Sequence, residues 1–242
     1  MSEDQCEKYK IDIKDYKLVN IISKTKPGMI YLLENKTTGK QYAAKTNLNK
    51  VKILTDSEKR FIWGELGFLL RVQHPIFLKF RRFSFEDIEI NKNMTMLMDY
   101  IKKGSLSSII DDMQNEKIDK NFDNTKRHII LAGICCGMMI LHKHRILHRN
   151  LKPENFLLDE NYRPRISEVA LSKFFDPLNT SRSDYPSFTY MAPEVMKYNN
   201  FNPKSDVYSF GIIMYEVIMG YRAYSKITEK KVTISINLNR KY

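Results

Sequence analysis

The stretch ILHRNLKPENFLLD, residues 146–159, decides the reading of this chain. It sets His148, Arg149, Asn150, Lys152 and Asn155 between two apolar runs, the pattern of a compact polar loop held between buried elements. Upstream, residues 126–143 are apolar nearly all round, which predicts a buried helix. Downstream, SDVYSFGIIMYEVIMG at 205–220 predicts a second long helix with Ser205 as its cap.

Toward the N-terminus the text turns strand-like. YKLVNIIS, GMIYLLEN and QYAAKT, the last two joined by a turn at KTTGK, predict a small antiparallel sheet. HPIFLKFRRFSFED and MTMLMDYI supply two further strands. Between these groups, residues 55–72 predict a helix with a capping box at Thr55 and Glu58, weakened by Gly64 and Gly67 at about 1 kcal/mol each relative to Ala. A mostly β part precedes a mostly α part, with a hinge near Asp99 to Lys103 that suggests a cleft.

At 242 residues and 43% apolar content the chain can build one large domain or two small lobes, which excludes a disordered chain. The 40 Lys and Arg against 28 Asp and Glu leave a net charge of +12, compatible with acidic partners. These basic residues are spread out without a sustained block, so a solvated lysine-rich surface explains them as well, and nucleic acid and membrane partners are not expected. Cys6, Cys135 and Cys136 form no ligand pattern, and the adjacent pair sits in an apolar run where cysteines act as small hydrophobes. The polar start MSEDQCEKYK and the short apolar run Ile129 to Leu141 predict a soluble cytoplasmic protein.

With these elements in order, the chain resembles the eukaryotic protein kinase domain of serine/threonine or tyrosine-kinase-like type, from about Tyr16 to Gly220. YAAK is similar to the strand that carries the phosphate-pairing lysine, here Lys45, and Glu65 falls where its partner glutamate belongs. HRNLKPEN resembles the catalytic loop, RISEVALSK occupies the metal-binding motif, and YMAPEV ends the activation segment. The expected architecture is therefore α+β and two-lobed. An extension at 1–15 precedes an N-lobe at 16–100, a C-lobe at 101–220 that ends early, and an atypical tail at 221–242.

The resemblance also implies a nucleotide site. Gly28, Ile30, Ala43, Lys45, Glu65, Met98, Asp99, Ile101 and Leu157 match positions that surround ATP, with Met98 as gatekeeper and Asp99 to Ile101 as hinge. Plain core packing describes Ala43 and Leu157 equally well. Ser23 and Thr25 stand at the first two glycine positions of the phosphate loop and only Gly28 remains, so any ATP binding is expected to be weak and poorly dependent on Mg²⁺. Asn155 and Glu168 stand at the metal-ligand positions, but the extra methylene of Glu168 displaces its carboxylate. Val169 and Ala170 replace the phenylalanine and glycine that follow it in the family, which removes a permissive hinge.

Asn150 stands where the family has the aspartate that accepts the substrate proton, beside Lys152. A neutral amide accepts a hydrogen bond but takes no proton near neutral pH, so a term of about 10² to 10⁴ in rate is lost. Arg149 is placed to meet a phosphate at Thr180, Ser181 or Ser183, or to bond nearby backbone. The expectation is a pseudokinase that works by binding or regulation, its partner an active kinase or a protein covering the short C-lobe. Three alternatives stay open: a weakly active serine/threonine kinase, a basic nucleic-acid or membrane module, and a truncated gene product. Alternating Val232, Ile234, Ile236 and Leu238 predict an exposed strand in the tail.

Overall fold

The computed structural model describes residues 7–25, 28–47, 74–91, 93–167 and 188–224. The helix expected at 55–72, Glu65, Glu168 with its neighbours, the phosphorylation positions at 180–183 and the strand expected at 232–238 lie outside the described residues. The fold is α+β and two-lobed, with a small antiparallel sheet in the N-lobe and a mainly helical C-lobe that has few helices among the described residues. The chain divides into two units, Met1–Ile101 and Lys102–Tyr242.

The first unit holds β1 (Tyr16–Thr25), β2 (Gly28–Asn35), β3 (Gln41–Asn47), β4 (Phe80–Ser84) and β5 (Thr95–Asp99), in the spatial order β1-β2-β3-β5-β4. The β2 to β3 turn is built by Asn35, whose side-chain oxygen accepts from the backbone and hydroxyl of Thr38 at 2.8 and 2.9 Å. Gly39 at φ +68° supplies the left-handed step that brings its N–H back to the Asn35 carbonyl. Period-2 alternation then sends Tyr31, Leu33, Ala44 and Leu97 to one face, where they form a core with Ile13 and Tyr16. The free edge of β4 is capped by the chain itself, because Phe83 exchanges hydrogen bonds with Tyr9 and Ile11.

The second unit contains α1 (Leu106–Gln114), α2 (Asn124–Lys143), the hairpin of β6 (Phe156–Leu158) and β7 (Pro164–Ile166), α3 (Pro193–Tyr198) and α4 (Pro203–Met219). Ser105 and Asp123 cap α1 and α2 by accepting from the backbone of Ser108 and Lys126. The sequence predicts α2 buried all round, and here the structure differs. Ile130, Ile134, Met138 and Leu141 are buried on one face, while Met139 is 63% exposed and Cys135 is exposed too. Among the described residues α2 packs on α4 and β7, which cover that one face.

The second correction concerns α4. Its cap is Asn202 and not Ser205, and the helix begins at Pro203, whose fixed φ suits a first turn. Ser205 is the other half of a capping box: the Asn202 side chain accepts from the Ser205 backbone and the Ser205 hydroxyl lies 3.2 Å from the Asn202 N–H. Gly220 at φ +75° ends the helix. No helix among the described residues is long and apolar enough to cross a membrane.

Candidate functional site

Strand register collects five of the first unit's candidate residues on one sheet face. Ile30 pairs with Lys45, which pairs with Met96 on its other side; Leu32, Ala43 and Met98 form the next row. Alternation therefore puts Gly28, Ile30, Ala43, Lys45 and Met98 on the face opposite the Tyr31, Leu33, Ala44 and Leu97 core. Ala43 and Met98 are buried, while Ile30 and Lys45 are half-buried. This face thus has an apolar floor with the Lys45 cation beside it, a composition suited to a flat ring and its attached phosphates. Glu65, expected beside Lys45, lies outside the described residues.

Asp99 ends β5 and its side chain falls on the core face, away from Met98. Arg81 grips it in a two-pronged ion pair, Nε to Oδ1 at 2.6 Å and Nη2 to Oδ2 at 2.8 Å. This pairing raises the Arg81 pKa further above its ordinary value. The Asp99 N–H also donates to the Lys79 carbonyl at 3.1 Å. Tyr100 and Ile101, which follow, are half-buried.

In the second unit the polar loop hangs from a residue to which sequence reasoning assigned no role. Asp206, 2% exposed in the first turn of α4, accepts from the backbone N–H groups of His148 and Arg149, both at 2.9 Å. The imidazole Nε2 of His142 lies 2.8 Å from Oδ2 of the same carboxylate. The available signal was a carboxylate inside an apolar helix, since such a group is buried only when partners are waiting for it. Arg149 adopts φ +66°, a strained conformation for a side-chain-bearing residue, and its guanidinium lies 5.6 Å from the Phe201 ring.

Asn155 is 4% exposed and donates its amide to the Asn150 carbonyl at 2.7 Å. Its own carbonyl accepts from the backbone and hydroxyl of Ser167 at 2.9 and 3.1 Å, tying the loop to the end of β7. Asn150 sits half-buried at the centre, and its side-chain Oδ1 is buried without a hydrogen-bond partner among the described residues. Lys152 is half-buried and leads into a short turn that begins at Pro153, and Leu157 is half-buried in β6, bridged to Ser105. Mg²⁺ takes oxygen ligands and prefers carboxylates. Asn155 offers one amide oxygen, and no group of three or more His, Cys, Asp or Glu able to hold a metal occurs among the described residues.

Comparison with known proteins agrees with this geometry. The sequence profile described as protein kinase domain matches residues 16–241, continuing beyond Gly220. The chain is 29% identical over 234 residues to a cAMP-dependent protein kinase type 3 from Saccharomyces cerevisiae, covering 96% of this chain and 56% of the relative. It is 30% identical over 222 residues to the cysteine-rich receptor-like protein kinase 27 of Arabidopsis thaliana, covering 89% and 33%. A cAMP-dependent protein kinase catalytic subunit from Arthrobotrys oligospora is 29% identical over 220 residues, covering 91% and 40%. The chain thus spans between about a third and just over half the length of these relatives. The profile runs through β1 to α4 in their observed order, and on that ground the chain belongs to the protein kinase domain family.

Proposed function

We propose that this chain is a pseudokinase, a kinase fold that works by binding and regulation with phosphoryl transfer absent or very weak. The observation that carries the reading is Asn150: an amide stands at the centre of a loop whose backbone is held by Asp206 and Asn155. An amide with pKa far from neutrality accepts a hydrogen bond from a hydroxyl but does not take its proton. The loop is thus kept as structure while its base is missing. The phosphate loop, with Ser23 and Thr25 at glycine positions, supports the same reading.

ATP binding through Gly28, Ile30, Ala43, Lys45, Met98, Asp99 and Ile101 is weak in this reading, and Mg²⁺ at Asn155 and Glu168 adds little. The working partner is a protein. Val207, Met214, Tyr215, Ile218 and Met219 of α4 are 40–55% exposed, apolar side chains on which a protein partner can dock. The retention of Lys45, Lys152 and Asn155 favours one second reading, a serine/threonine kinase with residual activity.

Radiolabelled transfer to a generic peptide separates the two. The native chain should give no transfer above background, and a chain carrying both Asn150→Asp and Glu168→Asp should gain it. Equal transfer by native and restored chains would favour the residual kinase.

A further inference from the structure

β4 contains one residue too many for its ladder. Phe80 pairs with Met98 and Arg82 with Leu97, so Arg81 is the extra residue of a bulge on an edge strand. Bulges re-aim side chains, and this one turns Arg81 onto Asp99 at the far end of β5. The Asp99 backbone is held from the same segment through Lys79. Asp99 is thereby fixed by two bonds to its carboxylate and one to its N–H.

The direction of the Asp99 side chain decides what this clamp does. It lies on the face opposite Gly28, Ile30, Ala43, Lys45 and Met98, so the carboxylate does not reach a ligand lying on that face. It acts through the backbone that follows. Ile101 is half-buried and makes no hydrogen bond through its backbone among the described residues, leaving a donor and an acceptor for an incoming group.

We propose that Arg81 is a positioning residue for nucleotide recognition: aimed by the β4 bulge, it locks Asp99 so that Tyr100 and Ile101 present their backbone to the edge of an adenine ring. The proposal rests on the nucleotide binding put forward above and names the element that makes it base-selective. Arg81 and Asp99 side chains are 31% and 29% exposed, so the pair is open enough to be broken without unfolding the sheet. The guanidinium fork is essential, because a lysine offers a single point charge and cannot hold both carboxylate oxygens in one plane.

The test measures binding of ribose-labelled fluorescent ATP and GTP to the full chain by anisotropy, in the wild type, Arg81→Met and Arg81→Lys. The expected result is about a tenfold loss of ATP affinity in both variants with GTP affinity unchanged, so the ATP preference collapses. General loosening of the unit would lower both nucleotides alike and would overturn the positioning role, as would an unchanged ratio. Arg81→Lys keeps the charge and serves if Arg81→Met does not fold. A wild-type chain that binds neither nucleotide removes the underlying nucleotide reading and this proposal with it. A wild type that prefers ATP beside variants with the same preference removes this proposal alone.

Discussion

The hydroxyl of Tyr190 lies 3.0 and 2.9 Å from the two carboxylate oxygens of Glu216, whose side chain is fully buried. The Ala223 N–H donates to the same carboxylate at 2.8 Å, and Arg222 stands 3.9 Å away while it also binds Asp111 and Ser107 of α1. Burial raises the Glu216 pKa above the ordinary carboxylate range against the pull of these donors, and burial raises that of Tyr190 as well.

A carboxylate whose pKa is raised by folding binds its proton more tightly in the folded chain than in the unfolded one. Its contribution to stability is therefore greatest at low pH and falls as pH rises from about 4, the unfolded value, through the folded value. Glu216→Gln removes this titration while one side-chain oxygen still accepts from Tyr190 or Ala223. Urea denaturation across pH should show wild-type stability declining relative to Glu216→Gln in that window and then levelling. A constant difference would show that Glu216 does not titrate on folding.

Asp206 holds two backbone N–H groups and His142 from the core of the second unit. Asp206→Ala leaves those groups buried without an acceptor, at a cost of about 3 to 5 kcal/mol. Asp206→Asn keeps one acceptor and should cost about 2 kcal/mol. Amide exchange at His148 and Arg149 should accelerate in both. Unaltered exchange there would mean that the loop is held by something other than Asp206.

Lys45 lies on the sheet face that carries Gly28, Ile30, Ala43 and Met98, between Ile30 and Met96. ATP at about 100 times its dissociation constant should stabilise the wild type by about 2.7 kcal/mol in thermal unfolding, with little dependence on Mg²⁺. Lys45→Met should abolish most of that shift. A shift that survives the substitution would place the nucleotide elsewhere.

Two glycines, one inside helix α4 and one at its C-terminal end, carry opposite expectations. Gly211 lies inside the helix and an added Cβ meets nothing within 4 Å, so Gly211→Ala should stabilise by about 0.5 to 1 kcal/mol. Gly220 sits at φ +75° against Met113, so Gly220→Ala should destabilise by about 1 to 2 kcal/mol. Calorimetric melting of the two variants reads the opposite signs directly.

Much of this architecture is written in local pattern. The five strands, the Asn35 turn, and helices α2 and α4 follow from alternation, turn residues and apolar runs, because each depends on neighbours a few residues away. The kinase resemblance was legible for the same reason, through short ordered motifs from YAAK to YMAPEV. The proposed loss of the base likewise rests on identity: Asn150 is an amide wherever it is placed.

What only the tertiary structure decided lies in contacts between residues far apart in the chain. That Asp206 suspends His148 and Arg149, that Glu216 is buried against Tyr190, and that only one face of α2 is covered depend on packing that no local window contains. The Arg81 bulge is the sharpest case. FRRFS reads as an ordinary strand, and the surplus residue becomes visible only when β4 is laid against β5, because register is a property of two strands and not of one.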